Sequence, residues 1–307
     1  MARTRRHVER PRPGGGGLLV SAAAELSSGK GAGDENFPVA SRLIAPRHRG
    51  AVMAFYRVAR LADDVADHPT ATAKEKLTRL AEIEASLKGA SEASPEAVAL
   101  AHVLAERRLD ATHVLDLLEA FRRDVTKSRY KTWAELMDYC RYSAAPVGRF
   151  VLDVHGESRA TWPASDALCA ALQAINHLQD CARDYRELDR VYLPRETLDR
   201  YGARIDMLAG PGDPALAAAV KALAERTQAL LEVSRPFAAQ VRDMRLSLEV
   251  GAIQRLAESL VRRLCRHDPL SERVHHRRWE ALGVGLLGVG GALGARLTSR
   301  QALKAKP

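Results

Sequence analysis

Apolar residues recur at steps of three and four through residues 73–87, 96–122, 165–185, 214–233 and 237–266, and no run of strict alternation interrupts them. Residues spaced this way share one face of a helix, whereas a half-buried strand would need every second residue apolar. Pro38, Pro46, Pro69, Pro146, Pro163, Pro194, Pro214 and Pro269 lie between these runs or at their starts, where a missing N–H is tolerated. The apolar content is mostly Ala, Leu and Val, with aromatics at only 5%, and that mix favours helix over strand. With 307 residues and no linker in the middle, the expectation is an all-α, single-domain helical bundle.

Two sets of acids sit on these helices. Asp63, Asp64 and Asp67 occur in RVARLADDVADHP, and Asn176, Asp180 and Asp184 in AINHLQDCARDYRELDRVYLP. At ~100° per residue, a step of four returns a side chain to within ~40° of its starting direction. Asp63 and Asp67 therefore share a helix face, and Asn176, Asp180 and Asp184 form a slowly turning stripe. Acids at helical spacing are commonly a solvated face paired with nearby Arg or Lys. Here the neighbours are apolar, with Phe55, Val58, Leu61 and Val65 around the first set and Leu168, Leu172, Ile175 and Leu178 around the second. Carboxylates on buried helices need partners, because an unpaired buried charge costs several kcal/mol. Mg²⁺ takes one or two carboxylates and fills its octahedron with water and phosphate oxygens, so two facing ladders would make a cage for the ion and a diphosphate. Arg60, one turn before Asp63 and Asp64, could contact that diphosphate, orient an aspartate or form a local ion pair. In YCRYSAAPVGRF, the small residues Ser143, Ala144, Ala145, Pro146 and Gly148 predict a break in a helix.

The formal charge of +9 is concentrated at the ends. Residues 1–19 carry +4 and residues 271–307 carry +5, which leaves 20–270 neutral by difference. A nucleic-acid binder should carry its basic stripe on the folded surface, so that class is excluded; basic tails beside apolar segments suit an anionic membrane. The uncharged stretch 281–295 is shorter than the ~20 residues of a spanning helix and holds six glycines, so it reads as an interfacial anchor or a flexible tail. The Gly-rich arm 1–33 has no periodic pattern and is expected to be disordered. Cys140, Cys169, Cys181 and Cys265 form no CxxC pair and read as buried thiols in a reducing compartment. No export signal is visible near the start, and the expected location is the cytoplasm, peripherally on the inner face of the membrane.

The segments SRLIAPRHRGAVMAFYRVARLADDVAD, RYKTWAELMDYCRYSAAPVGRFVLDVHG and NHLQDCARDYRELDRVYLP resemble, in order and spacing, the squalene/phytoene synthase family, over roughly residues 34–265. DENFPVASRLI, CRYSAAPVGRF and QDCARDY are most similar to its bacterial hopanoid-pathway branch. The resemblance implies an isoprenoid-synthase bundle around a central hydrophobic cavity. It assigns Asp63, Asp64, Asp67, Asp180 and Asp184 to Mg²⁺, and Tyr56, Arg60, Tyr139 and Arg183 to catalysis, with Tyr139 near the reacting carbons. Phe37, Ser143, Ala144, Val147, Gly148, Gln173 and Asn176 would bind the substrate.

Three departures narrow the substrate. Gln179 stands where much of the family has Arg, Arg183 where it often has Glu, and Asp34-Glu35-Asn36 where Ser- and Lys-containing phosphate contacts are usual. A site for one large diphosphate fits these changes better than a site for two farnesyl diphosphates. The implied reaction is ionisation of presqualene diphosphate and capture of the cation by water, giving hydroxysqualene. No GxGxxG follows a strand, so no NADPH is expected. The alternatives are head-to-head condensation of two allylic diphosphates, and a non-catalytic relative serving as assembly factor or membrane scaffold. Expected partners are the isoprenoid diphosphate, an anionic membrane surface and neighbouring pathway enzymes.

Overall fold

The computed structural model describes residues 44–272 and 274–304, so Phe37, Asp34-Glu35-Asn36 and the 1–33 arm lie outside the described residues. Every described element is helical, apart from one isolated parallel β-bridge between Arg129 and Val191. The first four helices are α1 (Pro46–Ala66), α2 (Ala73–Leu87), α3 (Pro95–Arg107) and α4 (Thr112–Thr126). Then come α5 (Trp133–Ser143), α6 (Ala145–Val154), the long α7 (Trp162–Leu188) and the short α8 (Arg195–Tyr201). The chain continues through α9 (Pro214–Ser234), a single turn α10 (Phe237–Gln240), α11 (Met244–Leu264) and α12 (Arg278–Lys304).

The punctuation is chemical. Proline occupies the first or second helical position of α1, α3, α6, α7 and α9, where its N–H would have no partner. Thr72 caps α2 in a reciprocal box with Glu75, and Thr132 and Asp243 cap α5 and α11. Two of the periodic runs turn out to be broken. The 96–122 run splits into α3 and α4 because Arg108 adopts a left-handed φ of 55°, a conformation that no glycine announces there. The 237–266 run splits at Val241–Asp243, where the Asp243 side chain caps α11 by accepting from Leu246 N–H. The break expected within residues 143–148 falls at Ala144, whose φ, ψ of −121°, −49° separate α5 from α6.

Two apolar cores result. One is built from α1 to α4 and α6, and contains Phe55 stacked on Phe150 at 4.2 Å between ring centroids. The other gathers residues of α7, α9 and α11, including Ile175, Leu223 and Leu260. A smaller aromatic cluster of Tyr130, Tyr139 and Tyr192 sits with Ala120 of α4 and Leu136 of α5. The β-bridge and the bonds from Val191 N–H to Ser128 C=O and from Arg195 N–H to Tyr130 C=O tie 128–131 to 190–196, which fixes Tyr130 and Tyr192 in that cluster.

The C-terminal stretch is helical in α12 and packs along α11. A Cβ added at Gly251 would lie 2.8 Å from Ala292 Cβ and 2.9 Å from Gly288 C=O, so the two backbones approach as closely as small residues permit. The glycines that weaken an isolated helix are thus what lets this one dock. No described helix is long and apolar enough to cross a membrane.

Candidate active site

A cavity of about 600 Å³ opens between the two cores. From α1 it is lined by Tyr56, Ala59, Arg60 and Asp63, with Asp67 at the helix end, and from α7 by Gln173, Asn176, His177, Asp180, Arg183 and Asp184. α4 adds Leu117, Phe121 and Asp124, and the kink adds Tyr139, Ser143 and Val147. Leu188, Arg190, Tyr192 and His275 complete the wall. Both acid ladders therefore reach one space. Three expected site residues do not line it. The Asp64 carboxylate turns onto Arg60, Ala144 is buried at the kink, and Gly148 packs α6 on α7, where a Cβ would meet Cys169 Sγ and Ser165 Oγ at 2.6 Å.

Arginines bracket the acids. Arg60 donates to Asp63 at 2.7 Å and to Asp64, and Arg183 pairs with Asp180 at 2.7 Å. Arg190 is buried, and it joins three elements by donating to the Asp67 carboxylate, to Ala66 C=O at 3.0 Å and to Asp124 C=O at 3.1 Å. Burial opposes its charge, but Tyr192, Asp67 and Asp124 around it more than offset that and hold the guanidinium protonated.

Positive charge is still short. Five cavity carboxylates, on Asp63, Asp67, Asp124, Asp180 and Asp184, face three guanidinium groups, on Arg60, Arg183 and Arg190. Asp63 is pushed up to about 7, first by burial and then by Asp67; it touches the cavity yet is ringed by protein. Asp184 is likewise raised to about 7, by burial first and then by Asp180, with Asp67 of the opposite ladder adding to it. A divalent cation with phosphate oxygens would complete such a set, and oxygen donors suit Mg²⁺. Among the described residues no three acid, His or Cys side chains converge tightly enough to hold an ion by themselves. Asp63, Asp67, Asp180 and Asp184 are the residues that would hold such a cation.

Deeper in the cavity the wall is aromatic. Tyr139 and Tyr192 each donate a hydroxyl hydrogen bond of 2.8 Å to the two oxygens of buried Asp124. Burial raises Asp124 to about 6, against the opposing pull of Arg190 and the two tyrosines. His177 stacks on Tyr192 at 3.6 Å between centroids, and burial followed by Arg190 lowers it to about 3, so it is neutral at ordinary pH. Its Nε2 lies 3.2 Å from the Gln173 amide nitrogen. The Ser143 hydroxyl is buried with no hydrogen-bond partner among the described residues. The arrangement combines a cluster of carboxylates and guanidinium groups with electron-rich rings and neutral polar atoms.

Asp124, Arg190, Tyr192, His177 and His275 were not picked out by spacing. One signal is available for Asp124: it continues the inward stripe of buried Val114 and Leu117 and half-buried Phe121 on α4, where an acid is out of place. Gln179, buried beside Asp180, donates its amide to Val274 C=O and ties α7 to the segment before α12.

Residues 31–280 match the squalene/phytoene synthase family. A hydroxysqualene synthase of Rhodopseudomonas palustris is 56% identical over 257 residues, covering 83% of this chain and 88% of that one. A hydroxysqualene synthase of Zymomonas mobilis is 54% identical over 274 residues, covering 88% of this chain and 92% of that one. Among solved structures, a squalene synthase of Alicyclobacillus acidocaldarius superposes with a TM-score of 0.68 at 30% identity, covering 81% of this chain and 94% of that one.

Proposed function

The chain belongs to the squalene/phytoene synthase family and is an isoprenoid synthase of squalene and hopanoid biosynthesis, and from that premise we propose that it converts presqualene diphosphate and water to hydroxysqualene and diphosphate. The observation that carries this reading is the single cavity in which both acid ladders meet above an aromatic wall with neutral polar atoms. Hydroxysqualene synthases more than half identical to the chain support the choice of product.

Asp63, Asp67, Asp180 and Asp184 would hold Mg²⁺, which supplies charge neutralisation for the departing diphosphate. Arg60 and Arg183 are already at the acids and can turn toward phosphate oxygens, adding charge-assisted hydrogen bonds as the carbon–oxygen bond breaks. The cyclopropylcarbinyl cation left behind faces the rings of Tyr139 and Tyr192, whose hydrogen bonds to Asp124 enrich their π systems. Ser143, Gln173 and His177 position one water. Its oxygen forms the new carbon–oxygen bond, and its proton passes to His177 Nε2 as the Gln173 amide N–H that this nitrogen accepts turns away from it; His177 is free of charge when the cation forms. No reductant enters this sequence. Substrate and product carry long hydrocarbon chains, so a cytoplasmic enzyme working against the inner face of the membrane is the implied location.

Purified protein incubated with Mg²⁺ and either presqualene diphosphate or farnesyl diphosphate distinguishes the readings. Hydroxysqualene from presqualene diphosphate without NADPH is expected, with little product from farnesyl diphosphate alone. Efficient formation of presqualene diphosphate from farnesyl diphosphate would instead make the enzyme a head-to-head condensing member of the family.

A further inference from the structure

The helix α12 is arranged inversely to an ordinary surface helix, which buries its large apolar residues. Its small residues Gly285, Gly288 and Ala292 face α11, and Gly288 and Ala292 are buried there. Its large ones face outward, with Trp279 82%, Leu282 53%, Leu286 62% and Leu287 67% exposed, and Leu293 also exposed. At ~100° per residue, Trp279, Leu282, Leu286 and Leu293 fall within about 60° of arc, so they form one stripe along the helix. An apolar stripe on a soluble surface signals a binding face. Charge identifies what it binds. Arg273, Arg277 and Arg278 precede the uncharged stretch, and Arg296, Arg300, Lys304 and Lys306 follow it, against only Glu272 and Glu280 in residues 271–307. A protein partner would need acids at both ends of the stripe, whereas an anionic bilayer offers hydrocarbon beneath a continuous negative surface.

We propose that the outward face of α12 docks on an anionic lipid bilayer through Trp279, Leu282, Leu286 and Leu293, drawn there by the net positive charge of residues 271–307. The docked helix is joined to the reaction site. Val274, four residues before α12, accepts the Gln179 amide beside Asp180, and the next residue, His275, lines the cavity. Docking therefore holds the cavity close to the lipid, where a long isoprenoid diphosphate resides. The lipid-borne nature of that cargo rests on the reaction proposed above; the docking face does not.

The test uses the full chain, its Leu282→Gln/Leu286→Gln double variant and a Trp279→Phe variant, with vesicles of phosphatidylcholine alone or with phosphatidylglycerol. Both leucines are exposed, so thermal melts of parent and double variant should coincide; a Trp279→Ser variant serves as the second probe of the face. The parent should sediment with phosphatidylglycerol vesicles and release as salt rises. The Trp279 emission, obtained by difference from Trp279→Phe, should shift to the blue. The double variant should lose vesicle affinity by about tenfold or more. Failure of the parent to bind, or equal binding by the variants, overturns the proposal, as does a dimer in light scattering that the double variant dissolves. On detergent-dispersed presqualene diphosphate, parent and double variant should turn over equally. If neither turns over while vesicle binding behaves as described, the docking face stands and the proposed reaction falls.

Discussion

The two acid ladders face the same cavity but are held differently. On α1 and at its end every acid is hydrogen-bonded to a cation: Arg60 serves both Asp63 and Asp64, and buried Arg190 clamps Asp67 to Ala66 and the end of α4. On α7 the half-exposed Arg183 is shared, at 2.7 Å from Asp180 and 4.0 Å from Asp184. The first ladder is part of the scaffold, and the second is adjustable. Yet Asp63 and Asp184 are both lifted to about 7, by burial first and then by the neighbouring Asp67 and Asp180, so the arginines do not offset burial and like-charge repulsion together.

The largest effect should come from removing a ligand of the adjustable ladder. Asp180→Asn should lower turnover on the order of 10²–10³-fold at saturating Mg²⁺ while the melting temperature stays at or above that of the parent, because a like-charge repulsion on Asp184 is relieved. Steady-state kinetics and a thermal melt check both halves; unchanged turnover would remove the second ladder from the reaction. The arginines should differ next. Arg190→Met leaves Asp67 without its buried cation and should destabilise the fold by about 3–5 kcal/mol in chemical denaturation. Arg183→Gln, at a half-exposed pair, should cost about 1 kcal/mol or less. Equal losses would erase the distinction between scaffold and adjustable ladder.

The smallest effect is one of pH. Carboxyls with a folded pKa near 7 and an ordinary unfolded pKa near 4 bind more protons folded than unfolded between those values, so stability should rise as pH falls through about 7 and level off near 4 as far as Asp63 and Asp184 are concerned. Metal-free protein should therefore melt higher at about pH 6 than at about pH 8, and added Mg²⁺ should narrow the gap by stabilising the charged forms. In Asp180→Asn the slope should shrink but persist through Asp63. A melt independent of pH over that range would contradict the charge imbalance.

Much of this arrangement is written in local patterns. Proline placement and three-four periodicity predict the helices, and a step of four brings Asp63 to Asp67 and Asp180 to Asp184. Tyr56, Arg60, Tyr139, Ser143, Val147, Gln173, Asn176 and Arg183 all line the cavity alongside those acids. What spacing does not reveal is partnership across long separations. Arg190 lies 123 residues from Asp67, and Tyr192 lies 68 from Asp124, so nothing periodic links them. Likewise the glycines of α12 read as helix breakers until Gly251 on the facing helix supplies the reason for them.

The central claim is that one diphosphate departs from this cavity and water replaces it on carbon. Turnover of presqualene diphosphate in H₂¹⁸O with Mg²⁺ and no NADPH tests it most directly, by mass spectrometry of the alcohol. The account predicts hydroxysqualene carrying one heavy oxygen. An alcohol that keeps the unlabelled ester oxygen, or a squalene product that requires NADPH, would contradict it.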